Sequence, residues 1–98
     1  MTIRERIERE RNNTEYMYLY SDGGLFGYLY DRSGYVFYTR FKSFKVHVRK
    51  LKDMDTLYLY LGFPIAEKDK YIPCSDFVRE ELKKGYLYRH SIMNSCPP

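Results

Sequence analysis

The chain contains no apolar run long enough to span a membrane as a helix. Its opening, Met1-Thr2-Ile3-Arg4-Glu5-Arg6, is charged and lacks the apolar stretch of a signal peptide, so a cytoplasmic location is expected. Cysteine is scarce: Cys74 and Cys96 have neither CxxC spacing nor the secretory setting of a disulfide framework, and both read as unpaired thiols. With only His47 and His90 to join them, no metal site is expected. The doubled glycine, Gly23-Gly24, lacks the later glycine and lysine of a phosphate loop, and a hairpin tip accounts for it. No repeat of solenoid length occurs.

Catalysis finds no support either. A nucleophile needs a base within hydrogen-bond reach and usually a third group that orients the base. Cys74 or Ser91 could be matched with His47 or His90, but no spacing ties them together, and both histidines read as surface residues. The expectation is a non-enzyme with no cofactor and no small-molecule substrate.

What the chain does have is tyrosine, twelve in 98 residues. Most recur at every second position: Tyr16, Tyr18, Tyr20; Tyr28, Tyr30; Tyr58, Tyr60; Tyr86, Tyr88. That period places alternate side chains on one face of an extended strand. A tyrosine ring buries well but its hydroxyl seeks a partner or water, so these faces are expected to be half-exposed. Strands are expected over 14–20, 25–30, 44–49, 56–61 and 86–92, with a hairpin turn at Ser21-Asp22-Gly23-Gly24.

Thr2 and Glu5 match a capping box, which predicts a short solvated helix fraying at Asn12-Asn13. Asp31 or Ser33 suits the cap of a segment running to Phe41, which reads as helix or as strand. A short helix is expected within Ala66–Ile72. A better one follows Ser75-Asp76 over 77–84, with Gly85 ending it. The fold class is α+β: a mixed, mainly antiparallel sheet of about five strands with about three helices in one small domain. Its parts are a charged N-terminal helix over 1–13, the domain over 14–92 and a flexible tail over 93–98.

Charge is uneven. Arg40, Lys42, Lys45, Arg49, Lys50 and Lys52 lie in a stretch with no acid, so the rest of this net +4 chain is net −2. Phe44, Val46 and Val48 alternate with Lys45, His47 and Arg49, the pattern of a half-buried strand with one apolar and one basic face. Such a ribbon neutralises phosphates without regard to sequence, and nearby aromatic rings offer stacking platforms for unpaired bases. The same pattern also serves as a solvated edge whose charges deter aggregation.

Tyr18-Leu19-Tyr20-Ser21-Asp22-Gly23-Gly24-Leu25-Phe26-Gly27-Tyr28-Leu29-Tyr30-Asp31 resembles the opening pair of strands, around a glycine, in the N-terminal domain of the DNA mismatch-repair protein MutS. Leu61-Gly62-Phe63-Pro64, followed by Asp69-Lys70-Tyr71-Ile72, resembles its glycine-x-proline segment and the helix after it. Leu82-Lys83-Lys84-Gly85-Tyr86-Leu87 resembles the end of that helix and the next strand. The resemblance implies a mixed sheet flanked by helices. The family's phenylalanine wedge, followed two residues later by glutamate, does not carry over: aligned on Gly23 the two places hold Leu25 and Gly27, and shifted by one they hold Phe26 and Tyr28. The ring is restored but not the acid, and mismatch repair is not expected.

The leading expectation is a non-catalytic accessory domain that binds DNA or RNA weakly. Arg40, Lys42, Lys45, His47, Arg49, Lys50 and Lys52 would contact it, with Phe26 and Tyr28 stacking on bases. The alternative is a protein-interaction module, with an acidic partner or as a homodimer, using a surface rich in tyrosine, a residue favoured at interface cores.

Overall fold

In the computed structural model, which describes residues 2–13, 15–52, 55–72, 78–82 and 85–91, the chain builds one antiparallel sheet with helices on both faces. In chain order the elements are α1 (Ile3–Arg11), β1 (Tyr16–Ser21), β2 (Phe26–Tyr30), α2 (Asp31–Arg40), β3 (His47–Lys50), β4 (Leu57–Pro64), α3 (Lys68–Tyr71), β5 (Val78–Glu81) and β6 (Tyr86–Ser91). The six strands are ordered β3-β4-β2-β1-β6-β5, and every ladder among them is antiparallel.

The sixth strand, β5, replaces the helix expected over 77–84. Local composition there favours helix, but pairing with β6 wins, since strand formation depends more on cross-strand neighbours than on intrinsic preference. Arg79 lies over the Tyr86 ring at 3.7 Å, and Glu80 meets Arg89 at 3.7 Å. Gly85 is needed for a different reason from a helix end. It closes the β5–β6 hairpin at φ +89°, where a Cβ would lie 1.9 Å from the carbonyl oxygen of Ser21. Ser75-Asp76, both cysteines and the tail lie outside the described residues.

Register sorts the side chains into two layers, because residues directly opposite on neighbouring strands share a face. One face carries Tyr20, Tyr28, Tyr30, Tyr58 and Tyr60; the other carries Met17, Leu19, Leu29, Leu61 and Phe63. The second face packs under α2 through Phe37, with Phe44, Tyr71 and Ile72 completing the core. Tyr86 and Tyr88 depart from the other pairs: Tyr20 lies opposite Leu87, which puts these two tyrosines on the α2 face.

The capping box is present: Thr2 N–H donates to Glu5 and Glu5 N–H donates to Thr2, at 3.0 and 3.2 Å. The helix it starts is not a solvated one. Arg6, Ile7 and Glu10 of α1 are buried, because the helix lies on the tyrosine face and Ile7 packs with Tyr20, Tyr30, Tyr58 and Leu87. For the same reason Tyr20, Tyr30 and Tyr58 are buried rather than half-exposed.

The segment after β2 is a helix, α2, but neither expected residue is its cap. Tyr30 takes that place, Asp31 adopts φ 42°, and the Asp31 carboxylate accepts the Leu59 N–H at 2.9 Å where the β2–β4 ladder ends. Among the described residues no helix is long and apolar enough to cross a membrane.

Candidate binding face

Helix α1 lies along the tyrosine face and leaves a groove on either flank. One groove, of about 650 Å³, is bordered by Glu5, Glu8 and Glu15 with Arg9, Tyr16 and Tyr18. It is the larger, but its carboxylates disfavour a polyanion. Its rings are also already engaged: Arg9 lies over Tyr18 at 5.4 Å and Arg89 over Tyr16 at 5.2 Å.

The other groove, of about 470 Å³, is bordered by Thr2 and Ile3, the Arg6–Asp22 pair, Arg49, and Tyr28, Tyr30, Tyr58 and Tyr60. Arg6 forms its floor. Its guanidinium lies over the rings of Tyr20 and Tyr30 at 4.9 and 5.6 Å, donates to the Tyr30 hydroxyl at 3.0 Å and pairs with Asp22. Burial opposes the charge on Arg6, but the hydrogen bond to Asp22 and the contact with Tyr30 outweigh it, and the pKa rises. Burial also raises the Tyr30 pKa, with Arg6 acting against it.

Tyr28 and Tyr60, which border this groove, belong to an aromatic strip that runs from β2 through β4 to β3. Phe26 and Tyr28 stack at 6.4 Å, Tyr28 meets Tyr60 edge-on at 6.2 Å, and His47 stacks on Tyr60 at 5.1 Å with 19° between planes. Gly62 makes room for the middle of it: a Cβ there would come within 2.8 Å of Tyr28 Cδ1, so the Tyr28 ring leans across β4. Phe26 is 46% exposed. Arg49 is exposed, and its hydrogen bond with Tyr60 raises its pKa.

The basic residues singled out from the sequence do not share one face. His47 and Arg49 lie opposite Tyr60 and Tyr58, on the tyrosine face. Lys50 lies opposite Leu57 on the α2 face and pairs with Asp55 at 2.9 Å, an acid just past the acid-free stretch. Arg40 ends α2, on the far side of the sheet, and Lys42 follows it. Lys45 precedes β3 and Lys52 follows it, both exposed. Strand alternation is the cause: β3 is only four residues long, so consecutive bases within it diverge and the others belong to neighbouring segments.

His90 is buried rather than at the surface, edge-on to the Phe41 ring at 6.1 Å. Among the described residues no cluster of histidine, cysteine, aspartate or glutamate could hold a metal ion. Sequence reasoning missed Arg6, whose place under the rings depends on α1 docking across the sheet. Tyr58 and Tyr60 were visible through their spacing, but not their nearness to Arg49.

Comparison of the chain with protein-family models, with curated proteins and with solved structures finds no match in any of the three.

Proposed function

We propose that this is a non-catalytic, cytoplasmic module that binds single-stranded nucleic acid weakly on the tyrosine face. The supporting observation is the strip Phe26–Tyr28–Tyr60–His47 with exposed Arg49 beside it: rings for bases, one guanidinium for phosphate, and a groove alongside. The likeness of three segments to the N-terminal domain of MutS supports contact with DNA, without mismatch repair, since the acid of the wedge is missing. A single-stranded ligand suits this face better than a duplex, whose bases are stacked inside and unavailable to rings.

Because Arg49 and His47 are the basic side chains on this face of β3, few phosphates are neutralised. The logarithm of the binding constant should fall with the logarithm of salt with a slope of about −1, at roughly 0.7 per phosphate on a single strand. Titration of a mixed-sequence DNA 12-mer at several salt concentrations tests this. Arg49→Glu and Tyr28→Ala should each weaken binding about tenfold, the latter through loss of stacking. No binding at low salt rejects the reading, and a slope near −4 rejects the face, because it would require the whole basic segment.

A second reading, a protein-interaction module, is favoured by exposed apolar side chains on the opposite face: Val48 at 62% and Leu57 at 67%.

A further inference from the structure

Among the described residues strand β3 is an edge, with β4 as its one neighbour in the sheet. Val48 lies opposite Leu59 on the α2 face, and Leu57 lies opposite Lys50 on that same face. Helix α2 packs on Leu59 through Gly34. A Cβ at Gly34 would sit 3.1 Å from Leu59 Cδ1, and beyond that contact Val48 and Leu57 are bare. The other face of β3 presents His47 and Arg49. The open backbone edge thus has an apolar shelf below it, with Lys50 paired to Asp55 at its end, and basic groups above it.

We infer that the free edge of β3 takes an extended segment of another protein as an added strand, one that alternates acidic and apolar residues. This rests on the protein-binding reading. Strand addition satisfies the unpaired backbone groups of an edge, and the side chains opposite select the sequence. Residues facing His47 and Arg49 lie above the sheet and are acidic, while those facing Val48 lie below it and are apolar. A second copy of this chain fits less well. Antiparallel β3–β3 pairing brings two positive edges together: centred on Arg49 or on Lys50 it sets that residue against its own copy, and centred on Val48 it sets His47 against Arg49, and like charges opposite one another are destabilising. The other edge, β5, reads Val78-Arg79-Glu80-Glu81 and lacks the apolar–basic alternation of β3. The one-signed segment that repels a second β3 is the one that selects an acidic strand.

The test uses the full chain, isotope-labelled for NMR, and capped octapeptides. Alternating Glu-Val should bind and slow amide exchange within residues 47–50 by about tenfold or more. Lys-Val should not bind. The Glu and Val residues rearranged into two blocks should bind at least about tenfold more weakly. Val48→Asp, an exposed substitution on the face away from the tyrosines, should weaken Glu-Val binding while leaving the DNA 12-mer titration unchanged. Equal binding of alternating and blocked peptides overturns strand addition but keeps an acidic protein partner. No binding by either acidic peptide, with exchange at 47–50 unchanged, overturns both. Self-association of the chain alone that protects residues 47–50 assigns the edge to a second copy and overturns the proposal.

Discussion

The carboxylate of Glu10, near the end of α1, accepts hydrogen bonds from both the amide and the hydroxyl of Ser33 in the first turn of α2, at 2.9 and 2.8 Å. Both residues are buried. The contact supplies what α2 lacks locally, since Tyr30 at its cap position contributes no side-chain hydrogen bond. An acceptor at that end satisfies a free helix amide, and a negative charge there opposes the positive end of the helix dipole. The Ser33 oxygen in turn accepts the Tyr18 N–H at 2.8 Å, so α1, α2 and β1 meet at one buried carboxylate.

Burial pushes the Glu10 pKa up to about 7, against the lowering effect of its Ser33 hydrogen bonds. The folded chain therefore holds this proton more tightly than the unfolded chain, whose value stays near the ordinary 4.5. Stability from this group is greatest below about pH 4.5 and is lost as pH rises through the interval up to about 7. The loss is at most of the order of 3 kcal/mol, at 1.36 kcal/mol per pH unit. Thermal melts across that interval should show a falling midpoint that Glu10→Gln flattens. A midpoint that the variant leaves with the same slope contradicts the assignment.

Ser33→Ala should cost more than Glu10→Gln. It removes the hydroxyl donor to Glu10, which keeps the Ser33 amide, and leaves the Tyr18 N–H without its acceptor, for about 1–3 kcal/mol. Urea unfolding measures the difference. Ser33→Thr, which keeps the hydroxyl, should recover part of it, and equal loss in both variants would show that packing rather than hydrogen bonding matters at this position.

Gly85→Ala should be among the most damaging single-methyl changes in the chain. Positive φ strains any other residue, and the added carbon would strike the Ser21 backbone, which cannot rotate aside. A cost of at least about 3 kcal/mol is expected, with amide protection lost first in the β5–β6 hairpin. An unchanged melting temperature would contradict the turn geometry.

The hairpin β1–β2, the β4 strand and the last strand were readable because a period of two needs no long-range information. The capping box was readable for the same reason, Thr2 and Glu5 being three residues apart. Strand β5 was not: its acids and lysines suit a solvated helix, and only the partner strand β6 decides otherwise. The candidate face was half legible. Tyr28 and Arg49 stood out individually, but 21 positions separate them, and their meeting depends on the order β3-β4-β2.

The amino-acid order by itself determined which segments alternate, where glycine turns them and that positive charge gathers in one stretch. Folding decided which face each tyrosine joined, that α1 would bury Arg6 and Glu10, and that the basic stretch would divide between two sides of the sheet. Local periodicity follows from backbone geometry alone. Register and docking follow from contacts between residues far apart in the chain, which no window of neighbouring residues contains.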